Sequence, residues 1–214
     1  MPLPDEGRPL GAGDVGRILG LDAATLARLG RHLELLRLWQ ERINLVGEAT
    51  LADPWRRHVL DSAQLLRFVP GNARVLVDLG SGAGFPGLVL AICGVPEVHL
   101  IESDRRKAAF LREAARITGC TNVRVHARRI EDVEPFPADV VTARALAPLD
   151  RLLELARPFF APRTVGIFPK GRQAEAELTA AARRWKMKAR IEPSLSSPEG
   201  RILVVEEVSR ADSP

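Results

Sequence analysis

The 214-residue chain contains no tyrosine, two methionines and two cysteines. Any stacking contact is therefore left to Phe, His, Trp or Arg. Two thiols cannot build a disulfide-dense secreted scaffold, and they fall short of a four-thiolate zinc site, so no metal is expected. No apolar run approaches the roughly 18 residues that would span a bilayer. Asp5 and Glu6 do not suit a signal peptide, so the expected location is a reducing, aqueous one, the cytoplasm. Charge of one sign is also in short supply. Lys plus Arg number 31 against 27 for Asp plus Glu, a net +4 that is compatible with nucleic acid without identifying it. A hydrophobic share of 46% excludes wholesale disorder. The length suits one sizeable α/β domain with a short appendage.

The small total charge is unevenly placed. Basic and acidic residues balance over 1–70, and the whole excess falls within 71–214. Arg105, Arg106, Lys107, Arg112, Arg116, Arg124, Arg128 and Arg129 are opposed within 105–129 by Glu113 alone. A second group, Arg183, Arg184, Lys186, Lys188 and Arg190, has no acid inside it. Such clusters either bind a polyanion through its phosphates or form a solvated face.

Residues 1–15, rich in Gly and Pro, read as a flexible tail. Residues 22–42 read as a helix capped by Asp22, with Leu26, Leu29, Leu33 and Leu36 at helical spacing. A second, short helix starts at Asp53-Pro54 and runs to about Leu66. Region 16–70 is thus helical and small, a cap on the larger C-terminal region. From Arg74 the pattern changes to short apolar strands alternating with helices. Strands are predicted at Val75–Leu79, Val98–Glu102, Val123–His126, Ala138–Thr142 and Val165–Phe168, with two more near Lys188–Glu192 and Ile202–Val208. Helices are predicted at Pro86–Cys93, Asp104–Thr118, Pro148–Arg157 and Ala174–Trp185. The alternation means an α/β fold over 71–214: a mostly parallel seven-stranded sheet with helices on both faces and a closing antiparallel hairpin.

Chemistry belongs at the carboxyl end of the first strand, where Asp78-Leu79-Gly80-Ser81-Gly82-Ala83-Gly84-Phe85-Pro86-Gly87 stands. Gly82, Gly84 and Gly87 satisfy G-x-G-x-x-G, a weak signal by itself. Asp78 would oppose a pyrophosphate but tolerate a cofactor with a cationic centre. Glu102, 22 residues past Gly80 at the end of the second strand, is placed to accept ribose hydroxyls. Together they describe an adenosyl cofactor across the top of the sheet, with Ile130 and Glu131 near the adenine.

Five segments, Asn44-Leu45, Arg57-His58-Val59-Leu60-Asp61-Ser62, the glycine loop 78–87, Thr142-Ala143-Arg144-Ala145 and Lys170-Gly171, resemble in order and spacing the RsmG (GidB) family of bacterial 16S rRNA methyltransferases. The resemblance implies a class I Rossmann-like, S-adenosylmethionine-dependent enzyme with a helical N-terminal extension. It implies methylation of guanine N7 at position 527, in the 530 loop of 16S rRNA. It places Gly80, Phe85, Ile130, Glu131 and Arg144 at the cofactor, joining Asp78, Gly82 and Gly84 of the same loop and Glu102, which stands where the family often has Asp. The target is 16S rRNA or the small ribosomal subunit, and the expected form is a monomer with no membrane or obligate protein partner. Transfer to N7 needs no general base, so Arg144, His58, Asn44 and Asp61 are expected to position rather than to exchange protons. His58 and Asp61 lie three apart on one helical face, and Asn44 serves either as a helix C-cap or as a contact near the cofactor. Lys170, Arg57, Arg105, Arg106, Lys107 and Arg128 are the expected RNA contacts. Cys93, Cys120, His32, His99, His126, Trp39 and Trp55 read as packing or surface residues, and Trp185 as core in preference to an RNA stack. The competing readings are an NAD-dependent dehydrogenase and a non-enzymatic RNA-binding assembly protein on the same fold.

Overall fold

The computed structural model describes residues 7–211. Two helices, α1 (Ala12–Leu19) and α2 (Ala23–Gln40), lead into a π-helical turn (Trp55–Leu60) and a short α3 (Asp61–Ala63). Asp22 caps α2 as its sequence predicts, accepting from the Thr25 N–H at 2.6 Å. The tail expected over 1–15 is corrected for its described part. Leu10 is buried, its N–H donates to Asp53 at 3.0 Å, and α1 begins at Ala12. Residues 1–6 lie outside the described residues.

The rest of the chain alternates β1 (Val75–Leu79), α4 (Gly87–Ile92), β2 (Glu97–Ile101), α5 (Arg105–Ile117), β3 (Val123–His126), β4 (Ala138–Ala143), α6 (Leu149–Ala156), β5 (Phe160–Lys170), α7 (Ala174–Ala181), β6 (Trp185–Pro193) and β7 (Arg201–Arg210). The seven strands lie in the order β3-β2-β1-β4-β5-β7-β6. Only β7 runs antiparallel to its neighbours β5 and β6. The order reverses between β1 and β4, and in such sheets the crevice beyond the carboxyl ends of those two strands is where ligands bind. β5 begins before the predicted Val165 because Phe160 already pairs with Ala138, although Pro162 and Arg163 interrupt the apolar pattern. The helix predicted through Trp185 stops at Ala181. Trp185 instead starts β6 opposite Arg210, buried, with its indole N–H on Asp150 at 2.9 Å.

One face of the sheet carries α4 and α5, and Leu29, Leu33 and Leu36 of α2 join Leu88, Phe110 and Leu111 in a single apolar cluster there. The N-terminal helices thus share the core of the sheet rather than forming one of their own. Arg28 and Arg31 of α2 reinforce the seam by donating to the carbonyls of Thr118 and Ile117 at the end of α5, at 2.7 and 3.1 Å. α6 and α7 cover the opposite face.

Candidate active site

The loop between β1 and α4 is built over a buried acid. Asp78 is fully buried, accepting from the Thr142 hydroxyl at 2.8 Å and from the Gly87 N–H at 3.2 Å. It therefore ties β1 to β4 and to the first residue of α4. This corrects the expectation that its carboxylate faces a ligand: Asp78 shapes the loop from below, and burial raises its pKa to about 6. Glu102 is likewise structural in part. One of its oxygens accepts from Gly82 N–H and the other from Asp104 N–H, both at 2.8 Å. A carboxylate has about four lone-pair sites, so capacity remains for a hydroxyl.

Above the loop lies a cavity of about 920 Å³. Gly80, Ser81, Gly82, Ala83 and Phe85 form one wall, and Arg144 with the segment 145–148 forms another. Leu45, Thr50 and His58 from the N-terminal region and Ser196 from the β6–β7 connection close it. Gly82 has φ +53, and a Cβ built on it meets nothing nearer than 3.9 Å. A side chain there would occupy the cradle, so the bare backbone fits a ligand that must approach closely.

Arg144 organises the centre. Its Nη1 donates to the Arg57 carbonyl at 3.0 Å and to Asp61 at 3.2 Å, and its Nη2 donates to His58 Nδ1 at 3.3 Å. Its guanidinium carbon sits 5.3 Å from the centroid of the Phe85 ring. Guanidinium can only donate, so His58 Nδ1 carries a lone pair and Nε2 carries the proton, which goes to Thr50 Oγ1 at 2.9 Å. Burial, helped by Arg144, pushes the His58 pKa down to about 3. Asp61 is held from its other side by the Ser196 hydroxyl at 2.6 Å. Phe85 stacks between His58 and His32, each ring centroid 4.7 Å away.

Of the predicted positioning residues, Arg144, His58 and Asp61 thus come together. Asn44 does not: it is exposed beside a separate depression lined by Arg37, Gln40 and Glu41. Nor do the expected adenine-side residues line the cavity, and Gly84 and Glu102 stand behind its wall and not in its lining. Ile130 packs against the α6–α7 side of the core, and the exposed Glu131 pairs with Arg151 at 3.1 Å. Lys170 lines the cavity, but its ammonium is committed to Glu177 at 2.7 Å and to the Ala147 carbonyl at 2.9 Å. It anchors the 145–148 wall instead of offering a free charge to RNA.

The two basic clusters part company. Arg184 meets Asp150 and Glu154, Lys188 meets Glu207, and Arg190 meets Glu192 and Glu206, so the second cluster is largely neutralised by acids on α6, β6 and β7. In the first, Arg106, Arg116 and Arg124 have acidic partners. Arg105, Lys107, Arg112, Arg128 and Arg129 have no carboxylate partner among the described residues.

Several lining or supporting groups carry no signal in the sequence: Thr50, Ser196, Glu177 and His32. Each acts through hydrogen bonds that no local pattern announces: Ser196 to Asp61 and His32 to Ala83 across the chain, Thr50 to His58, and Glu177 to Lys170 and the Leu149 N–H. Only the buried face of α2, legible from its leucine spacing, could have pointed to His32.

The buried groups set a pH dependence. Burial lowers the His32 pKa to about 4, despite its bond to the Ala83 carbonyl, so it stays neutral with His58 as the pH falls below the ordinary 6.5. Both take up protons on unfolding in the window from pH 6.5 to about 4. Asp78, whose ordinary value is 3.8, releases one between about 4 and 6. Unfolding between pH 6 and 4 therefore takes up a net proton, and stability falls as the pH is lowered through that window. The urea midpoint is expected to drop between pH 6.5 and 5; a flat or rising midpoint would contradict this balance.

The fold can be placed against known proteins. The chain superposes on M. jannaschii TYW2, solved in complex with AdoMet, with a TM-score of 0.55 at 18% identity, covering 80% of each chain. It superposes on a SAM-dependent methyltransferase from Aquifex aeolicus with a TM-score of 0.56 at 18% identity, covering 73% of this chain and 94% of the other. A seven-stranded sheet of this order, with a glycine loop after β1, has the Rossmann-like fold of the S-adenosylmethionine-dependent methyltransferases. Sequence narrows the class further. The chain is 58% identical over 187 residues to the ribosomal RNA small subunit methyltransferase G of Rhodospirillum rubrum, covering 87% of this chain and 92% of the relative. Residues 25–202 match the model of the GidB family, described as rRNA small subunit methyltransferase G, and the chain belongs to that family.

Proposed function

We propose that the chain transfers a methyl group from S-adenosylmethionine to N7 of a guanine in 16S rRNA, at position 527 of the 530 loop. The observation that carries this reading is one cavity in which the bare glycine-loop backbone faces the Arg144 guanidinium. Family membership supports small-subunit rRNA as the substrate and argues against the dehydrogenase alternative.

The backbone of 80–83 would hold the cofactor, with Phe85 backing that wall between its two histidines. Glu102, bonded to the Gly82 N–H, would offer its remaining lone pairs to the ribose. When bound, the cofactor supplies a methyl carbon on a sulfonium, electrophilic enough for a neutral ring nitrogen. Guanine N7 already presents a lone pair at neutral pH, so the protein has no proton to remove. The site agrees with that demand. His58 spends one nitrogen on Arg144 and the other on Thr50, Asp61 is held by Arg144 and Ser196, and Asp78 is sealed beneath the loop.

What remains is positioning. Three of the five guanidinium N–H donors of Arg144 are used within the protein. A donor placed on N7 would occupy the lone pair that has to attack, so the two left over serve the neighbouring O6. The exposed Arg105 in the first turn of α5, with Arg128 and Arg129 after β3, lies at the same carboxyl edge of the sheet, where it can take RNA phosphates. Replacing Arg105 and Arg128 together by alanine is expected to weaken RNA binding and reduce its log–log salt slope by about 1.5. Affinity for S-adenosylmethionine should stay as it was; an unchanged salt slope would remove this edge from the RNA interface.

Calorimetric titration of the protein with S-adenosylmethionine and with NAD, followed by transfer of labelled methyl to 16S rRNA or small subunits, tests the proposal. Binding of NAD alone would refute it. Cofactor binding without transfer to either RNA substrate would favour the assembly-protein alternative.

A further inference from the structure

We infer that His32, on α2 of the N-terminal region, is a positioning residue for the glycine loop, fixing Ala83–Phe85 in the shape that S-adenosylmethionine requires. The inference rests on the cofactor named above and adds a residue to its machinery.

One imidazole touches three consecutive loop residues. Its Nε2 lies 2.8 Å from the Ala83 carbonyl oxygen, so Nε2 is the protonated nitrogen and donates. Its Cε1 lies 3.3 Å from where a Cβ on Gly84 would stand, so the ring packs against the bare face of that glycine. Its plane stacks on Phe85 at 4.7 Å and 26°. Ala83 and Phe85 both line the cavity, and His58 covers the opposite face of Phe85.

A histidine here is costly to the fold. The residue is fully buried, and its Nδ1 has no hydrogen-bond partner among the described residues. An unsatisfied buried nitrogen is expensive, and a phenylalanine would fill an aromatic position in this core without that cost. What phenylalanine cannot do is donate to the Ala83 carbonyl, and a flexible amide cannot stack on Phe85. Imidazole does both, on a loop whose backbone has to be exact within fractions of an ångström to receive a ligand. The placement also explains why the N-terminal helices share the core of the sheet: α2 delivers this side chain beneath the cofactor wall.

The test separates the hydrogen bond from the packing. In His32→Phe the ring remains and the donor is lost. The dissociation constant for S-adenosylmethionine, measured by calorimetry, is expected to rise about tenfold, the loss of one hydrogen bond. RNA affinity, measured by filter binding, and the melting temperature should stay near wild type. His32→Gln places an amide N–H at the reach of Nε2 and should recover much of the cofactor affinity. Wild-type affinity in His32→Phe, or losses in both variants that simply follow their melting temperatures, would overturn the inference. Nitrogen-15 NMR of the unmodified protein tests it without substitution. His32 should be the Nε2-protonated tautomer, and its ring signals should shift when S-adenosylmethionine is added. The opposite tautomer, or signals that do not respond to a cofactor calorimetry shows to bind, would also overturn it. Wild-type protein that fails to bind S-adenosylmethionine at all would instead remove the cofactor reading beneath it.

Discussion

Replacing Arg144 by alanine is expected to slow methyl transfer on the order of 100-fold, the scale of a misplaced reacting group, while cofactor affinity changes by less than about threefold. The guanidinium holds separate pieces of the chain around the cavity. It reaches the π-helical turn through the Arg57 carbonyl and His58, α3 through Asp61, and the glycine loop through the ring of Phe85. Alanine removes all of these contacts together with the two donors left for guanine. The Asp61 carboxylate then keeps only Ser196 and a long contact from Gln64. The loop that would bind the cofactor stays tied by Asp78, Glu102 and His32, none of which depends on Arg144. Single-turnover kinetics with labelled cofactor checks the split. A normal rate constant, or a loss confined to cofactor affinity, would take Arg144 out of the guanine side of the site.

The second large effect falls on stability. A Cβ on Gly87 would stand 2.6 Å from Asp78 Cβ and 2.7 Å from Asp78 Oδ2, and closer still to a methyl of Leu100. Asp78 and Leu100 are fully buried on adjacent strands, paired in register, so neither can move aside cheaply. Gly87→Ala should destabilise the protein by about 3 kcal/mol, lowering the melting temperature by roughly 6–12 °C for a chain of this size. It should weaken cofactor binding as well, because the Gly87 N–H bond to Asp78 sets where α4 leaves the loop. An alanine variant that melts with the wild type would show that the loop is looser than these contacts require.

The fold is largely legible in the sequence because its signals are local. Short apolar strands, a glycine loop at the end of β1 and the Asp22 cap each announce themselves within a few residues, and their alternation with helices implies a mostly parallel sheet. The misreadings come from side-chain directions and partners that no local pattern announces. Asp78 reads as a ligand-facing acid because only the register of β1 against β4 shows that it points at Thr142. The cluster around Arg184 reads equally as an anion site or a solvated face because its partners Asp150 and Glu154 lie on α6, some thirty residues earlier. Lys170 reads as free because Glu177 reaches it from α7. Asn44 stands beside a pocket residue, Leu45, yet the turn after α2 directs it elsewhere. In the other direction, His58, Asp61 and Arg144, up to 86 residues apart, are expected at the same site and do meet. His32 gives no hint beyond its place on an apolar face.

Central to the proposed chemistry is a methyl group reaching one nitrogen of one guanine without a protein base. The most direct measurement is to map 7-methylguanosine in the host's 16S rRNA with the protein present, absent, and restored as wild type or as Arg144→Ala. The expected result is a single modified guanine, at position 527, that disappears without the protein, returns with the wild type and stays largely absent with the variant. An unchanged 7-methylguanosine profile on removal of the protein, or a methyl group found on another atom or another base, would contradict it.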